Sequence, residues 1–216
     1  MEKKTLFWDV DTQYDFMMPD GQLYVEGAEE IIPTINALRA VALDHGCSLI
    51  GSMDWHSEDN PEISENPDFQ TTFPRHCMAD TPGAQRVGYL GKLPIQYVER
   101  EPHNPGELAE LVRQEQFHVI IRKEELDVFS NPNTSRLLDA MPSRPERIVV
   151  FGVTLDLCVR LTLEGLSRFR DIQLLLVEDG TQAIDSEAGE RALDDLQRRS
   201  VQVVQFSQLR EMVPCG

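Results

Sequence analysis

The amino-acid sequence predicts an α/β fold: a three-layer arrangement in which an open parallel β-sheet is flanked by helices. Two observations lead there. Short apolar runs alternate with amphipathic stretches along most of the chain, which is how βαβ units read in sequence. Several of the runs, such as FHVIIR and IQLLLV, are almost wholly apolar, as strands covered on both faces must be. At 216 residues the chain is long enough to bury a substantial core. With neither an internal repeat nor an evident linker, one domain spanning residues 1–216 is expected.

TLFWDV (5–10) reads as the first buried strand, and residues 28–45 as a helix that stops near Gly46. CSLIGSM (47–53) is the next strand. The segment 54–92 breaks the pattern, being rich in Pro, Asp, Glu, Asn and Thr with weak periodicity; so long an irregular stretch in a compact domain is functional or disordered. Residues 95–98 then read as a short strand, 105–115 as a helix, 117–122 as a strand and 133–140 as a short helix. Pro142 and Pro145 lead into RIVVFGV (147–153). A helix over 156–169, strand 172–177, helix 186–199, strand 201–206 and a short helix complete the chain.

The formal net charge of −17 would repel a phosphate backbone, so no nucleic-acid partner is expected. No apolar run is long enough to cross a bilayer, so no membrane partner is expected either. The opening MEKKTLFWDV lacks the apolar stretch and cleavage site of a signal peptide, which points to the cytoplasm. Cysteines at 47, 77, 158 and 215 show no CxxC spacing, so neither a disulfide framework nor a zinc knuckle is expected in a reducing compartment. Cys47 begins a strand and reads as core, Cys215 lies in the tail, and Cys77 has no supporting base or helix start.

Ligands of open parallel sheets bind outside the carboxyl ends of the strands. Asp11 follows the first predicted strand, Asp54 and His56 the second, and Lys123 follows FHVIIR. Cys158 lies on the strand-turn-helix after RIVVFGV. A cysteine in the first turn of a helix feels the positive end of the peptide dipoles, and a lysine beside it would add to that preference for thiolate. A carboxylate can take the thiol proton and return it to a leaving amine, while backbone N–H groups of the turn receive an oxyanion. Cysteine, aspartate and lysine together suit acyl transfer from an amide. Within the irregular segment, Asp54, His56, Glu62 and His76 offer the ligand types of zinc, iron or manganese sites. His45, His103 and His118 read as structural.

Six runs, D-T-Q-Y-D-F (11–16), D-W-H (54–56), F-P-R-H-C (73–77), T-P-G-A (81–84), K-E-E-L-D-V-F (123–129) and G-V-T-L-D-L-C-V (152–159), occur in an order and at separations that resemble the isochorismatase-like cysteine hydrolases. Within them the chain is most similar to the nicotinamidases. The resemblance implies a catalytic triad of Asp11, Lys123 and Cys158, an oxyanion hole from the amides of Thr154 and Cys158, and a cis peptide at Val153–Thr154. It implies aromatic walls at Phe16 and Phe73 around a small amide substrate. It also implies a divalent metal, Zn2+ foremost with Fe2+ or Mn2+ as alternatives, on Asp54, His56 and His76, with Glu62 where many relatives carry a fourth ligand. Relatives often form homo-oligomers, so a homo-oligomer is expected here.

Two departures bear on the substrate. Isochorismatases proper lack the cysteine, so Cys158 favours amide hydrolysis. Many nicotinamidases carry His-x-Ser-Phe after D-W-H, whereas this chain has P-E-I-S (61–64) followed by ENPDFQTTF, and Asp80 where glycine is common. Nicotinamide is the expected substrate; a ureido, N-carbamoyl or other heteroaryl amide is the nearest alternative. A non-catalytic binding protein on the same fold is the alternative of another class.

Overall fold

Seven apolar runs become strands that hydrogen-bond side by side: β1 (Thr5–Val10), β2 (Ser48–Asp54), β3 (Ile95–Val98), β4 (His118–Lys123), β5 (Arg147–Val153), β6 (Gln173–Gln182) and β7 (Gln202–Val204). The structure, a computed structural model, describes residues 4–213; Cys215 lies outside them. All pairings are parallel, in the order β3-β4-β2-β1-β5-β6-β7. The expected parallel sheet between helical layers is therefore present.

The helices are α1 (Tyr14–Met17), α2 (Ile32–Asp44), α3 (Pro105–Leu111), α4 (Thr134–Asp139), α5 (Arg160–Leu166), α6 (Ser186–Arg198) and α7 (Phe206–Met212). Alternation along β1 sends Leu6, Trp8 and Val10 into one core and Phe7 into the other, as the two-residue period of a strand requires. Leu108, Leu137, Leu163 and Leu196 of α3, α4, α5 and α6 pack into the first core. Leu38 of α2 and Leu209 of α7 pack into the second. Each such fully buried leucine contributes about 1.5–3 kcal/mol.

Several boundaries differ from the sequence reading, for physical reasons. The helix expected over 28–45 opens with a tight 3-10 turn, Ala28–Ile31, before α2 begins next to Pro33. The helix expected over 156–169 starts as a π-helical turn, Leu155–Val159, and closes at Leu166. β6 runs on to Gln182, because its pairing with β5 resumes after a register shift between Val150 and Gly152. Among the described residues no helix is long and apolar enough to cross a membrane.

His118 opens β4 fully buried, and neither ring nitrogen has a hydrogen-bond partner among the described residues. Burial, reinforced by the nearby positive charge of Arg86, pushes its pKa down from 6.5 to about 4. The imidazole is thus neutral in the fold, while the unfolded chain takes up a proton below pH 6.5. The native state gains relative stability from this group above that value and loses it as pH falls towards 4, by no more than about 3 kcal/mol. Urea unfolding between about pH 4 and 7 should show this decline, and His118→Gln should flatten it.

Candidate active site

Strand order places β4, β2, β1 and β5 side by side with their carboxyl ends at one edge. Register aligns those ends: Val10 pairs with Ser52 on one side and Gly152 on the other, and Asp54 pairs with Lys123. The chain builds outward from β1 through β2 and then returns to β5 on the opposite side. The crevice between β1 and β5 is therefore the topological switch point, where open parallel sheets bind ligands. Asp11 follows β1, Asp54 ends β2, Lys123 ends β4, and Cys158 lies in the π-helical turn after β5.

Neighbouring strands are about 4.8 Å apart, so the Lys123 side chain has to reach across β2 to meet groups on β1 and β5. It does. Nζ forms an ion pair with Asp54 Oδ1, lies 3.0 Å from Asp11 Oδ2 and donates to Cys158 Sγ at 3.7 Å. All four side chains are buried. Asp11 takes φ 47°, a left-handed conformation that costs a non-glycine residue about 1–2 kcal/mol. Its Oδ1 accepts the Ser52 hydroxyl at 2.7 Å, while Oδ2 faces the ammonium yet accepts no directed hydrogen bond among the described residues.

Burial pushes the Cys158 thiol well above its ordinary range; Lys123 opposes this, and the Asp11 and Asp54 carboxylates add to it. The sequence reading expected the helix end to favour thiolate, but the sulfur is too deeply buried for that. Burial likewise raises Asp11 against the pull of Lys123. Asp54 goes the other way: burial disfavours its charge, but Lys123 and the two histidines hold it well below the carboxylate range. Lys123 stays charged, because the surrounding anions outweigh the burial that opposes its charge. Burial thus pushes both the Cys158 thiol and the Asp11 carboxyl upward, and both groups face the Lys123 ammonium.

Asp54 also faces a second group. Its Oδ2 lies 3.7 Å from His56 Nε2 and 3.6 Å from His76 Nε2. With Glu62 these residues offer four buried ligand atoms within 4.8 Å of one another. His76 Nδ1 contacts the Pro74 carbonyl at 2.8 Å, which directs the lone pair of Nε2 into the cluster. Both His56 nitrogens and Glu62 Oε1 are buried without hydrogen-bond partners among the described residues. Burial and the charge of Asp54 push Glu62 up to about 7. Two imidazoles and two carboxylates with orphaned lone pairs fit a divalent cation.

Both clusters border one narrow pocket, lined by Cys158, Thr154, Glu62 and His76 together with Phe16 and Phe73. The Phe16 and Phe73 rings lie 5.3 and 6.1 Å from the His76 ring. The Val153–Thr154 peptide is cis. Asp80, one of the departures noted in the sequence, takes φ 61°. A larger hollow at the amino ends of the strands, beside Lys4, Cys47 and Met141, gathers no comparable set.

Three supporting residues escaped the sequence reading. Gln13 clamps Asp54, donating to its carbonyl and accepting from its N–H, both at 2.7 Å. Ser52 holds Asp11; its position two residues before Asp54 on one strand was the available signal, since both side chains then share a face. Asp156, two residues before Cys158, accepts the N–H groups of Ile184 and Asp185 at 3.1 Å and so fastens Ile184 over the pocket.

The isochorismatase domain profile matches residues 6–208. The chain belongs to the isochorismatase family. It is 26% identical to the nicotinamidase/pyrazinamidase of Mycobacterium tuberculosis over 196 residues, covering 90% of this chain and 95% of that relative. A crystal structure of the pyrazinamidase of Pyrococcus horikoshii in complex with zinc matches with a TM-score of 0.73 and 26% identity, over 94% of this chain and 99% of that one. The nicotinamidase of Bacillus subtilis, at 20% identity and a TM-score of 0.72 over 94% of this chain and 99% of that one, shares the fold. The chain is a hydrolase of this family.

Removing the Asp156 carboxylate leaves two partly buried N–H groups without acceptors, a loss of about 1–3 kcal/mol. Asp156→Ala is expected to lower stability by that amount in urea titrations. Amide exchange at Ile184 and Asp185 should quicken more than in the sheet.

Proposed function

We propose that this chain is a cysteine amidohydrolase that converts nicotinamide to nicotinate and ammonia through a thioester on Cys158. The observation that carries the reading is one pocket bordered both by a sulfur in contact with Lys123 and by the Asp54, His56, Glu62 and His76 cluster. The likeness to a nicotinamidase/pyrazinamidase and to a zinc-bound pyrazinamidase supports it. So does the pocket's composition. Phe16, Leu23, Phe73, Leu126, Leu157 and Ile184 give it an apolar wall, and among the described residues no arginine or lysine lines it. Lys123 beneath is already shared by Asp11 and Asp54. A ureido acid would bring a carboxylate with no lysine or arginine side chain to meet it, whereas an uncharged flat ring suits such walls.

The steps follow from the positions of the groups. Asp11 Oδ2 takes the thiol proton, and the sulfur attacks the carboxamide carbon. Negative charge moves to the amide oxygen, which the N–H groups of Thr154 and Cys158 receive. The C–N bond breaks as Asp11 passes its proton to the nitrogen, releasing ammonia. Asp11 then takes a proton from water, which attacks the thioester; the C–S bond breaks, Asp11 returns that proton to the sulfur, and the acid leaves as nicotinate, giving its own proton to solvent. Lys123 keeps the pair of anions compatible throughout. Phe16 and Phe73 hold the ring flat. A divalent cation on Asp54, His56, Glu62 and His76, foremost Zn2+ with Fe2+ or Mn2+ as alternatives, would offer the pyridine nitrogen a Lewis-acid contact when bound. The free thiols of Cys47, Cys77 and Cys158 suit the cytoplasm as the compartment.

Cys158→Ala is expected to abolish ammonia release from nicotinamide while leaving the circular dichroism spectrum unchanged; an active variant would refute the scheme. Metal removal makes an independent case. A chelator-treated protein, or His76→Ala, should contain less than stoichiometric metal by mass spectrometry and lose activity. Only the chelated protein should recover on adding Zn2+.

A further inference from the structure

A second buried charge cluster lies behind Asp11, on the α2 side of β1, and takes no part in the steps above. Asp9 accepts from Arg39 Nε at 2.6 Å and pairs with Arg86 as well, and all three side chains are almost wholly buried. Burial raises the Asp9 pKa, but the two guanidinium groups outweigh it and keep the carboxyl ionised. Burying one carboxylate with two guanidinium groups is a costly way to hold a core together, and apolar side chains of similar size serve stability as well. The cluster's contacts point to a different use.

Arg86 touches both residues that govern Asp11. Its Nη2 donates to the hydroxyl of Thr12, the next residue in the chain, at 3.0 Å. Its Nη1 donates to the Ser52 carbonyl at 3.1 Å. That same carbonyl accepts the Asp11 N–H, and the Ser52 hydroxyl holds the Asp11 carboxylate. Arg39 reinforces the arrangement by donating to the Thr12 hydroxyl at 2.5 Å. Space for the guanidinium comes from Gly51, where a Cβ would meet Arg86 Nη1 at 2.6 Å. Between these anchors sits the left-handed backbone of Asp11, a conformation that persists only where the surroundings over-determine it.

We infer that Arg86 is a positioning residue for Asp11: by clamping Thr12 and Ser52 together, it holds the Asp11 carboxylate against Lys123 and Cys158. This rests on the reading of Asp11 as the group that takes the thiol proton. The backbone of Arg86 forms an antiparallel bridge with Gln13, whose own side chain clamps Asp54, which fixes where the Arg86 side chain starts relative to the two strand ends.

The test compares wild type with Arg86→Met and Arg86→Lys, each loaded with Zn2+ and kept below its unfolding transition. Two readouts are taken: steady-state ammonia release from nicotinamide, and alkylation of Cys158 by iodoacetamide followed on its own peptide by mass spectrometry. A misplacement of about 1 Å costs on the order of 100-fold in rate, so Arg86→Met should lose at least about tenfold in kcat with KM within about twofold. Cys158 alkylation should slow in parallel. Arg86→Lys, which keeps the charge and one contact, should recover part of both. A folded Arg86→Met with wild-type kcat and alkylation rate overturns the inference, since a merely structural role lowers only the melting temperature. Should Arg86→Met not fold, Thr12→Val, which removes only the clamped hydroxyl, decides in the same way: slower on both readouts supports it, unaltered overturns it. If wild type releases no ammonia from nicotinamide, the proposed substrate fails, and the alkylation rates still decide for Arg86.

Discussion

The ammonium of Lys123, sealed from solvent at the end of β4, is the constraint around which the rest is organised. A buried cation without partners costs several kcal/mol, so the position is tenable only if anions are brought to it. Asp54 comes from the neighbouring strand in direct register, and Asp11 from the strand beyond. Both carboxylates need the lysine as much as it needs them, since each is fully buried. The sulfur of Cys158 completes the ring from the far side of β1. Four strand ends must therefore terminate at one level, and the parallel register meets that condition.

The remaining polar groups act as guy-ropes for this arrangement. Gln13 ties the residues after β1 to the end of β2, and Ser52 ties β2 back to Asp11. Asp15 accepts the N–H of Cys77 at 2.7 Å, drawing the chain next to His76 towards α1. Side-chain to backbone bonds of this kind keep the long segment between β2 and β3 ordered where it has little regular structure. They meet the demand that buried N–H and C=O groups find partners.

The sheet was legible because its strands are apolar and its connections are marked by Pro, Gly and acidic residues. The groups at the strand ends were legible for the same reason, since Asp11, Asp54, Lys123 and Cys158 each stand where an apolar run stops. What escaped detection depends on pairing between distant residues. Asp9 carried no signal of its own in TLFWDV because Arg39 and Arg86, which make its burial tolerable, lie far along the chain. The last part of β6 was hidden because Glu178 to Gln182 are polar, and only a register shift against β5 keeps them in the sheet. α1 has four residues, too few for any periodicity. Burial defeated the expectation about the thiol: dipole arguments can be read from a sequence, whereas the depth of a sulfur cannot.

Asp54 turns one oxygen to Lys123 and the other to His56 and His76, so a single carboxylate belongs to two neighbourhoods. Any change on one side is felt on the other through the charge that this residue can spare. A lineage that discarded the histidines would leave Asp54 bound more tightly to the lysine and alter the balance at the sulfur. The two halves of the crevice are thus coupled through one carboxylate, and a change of ligand on the histidine side would shift the charge balance around Cys158 on the other.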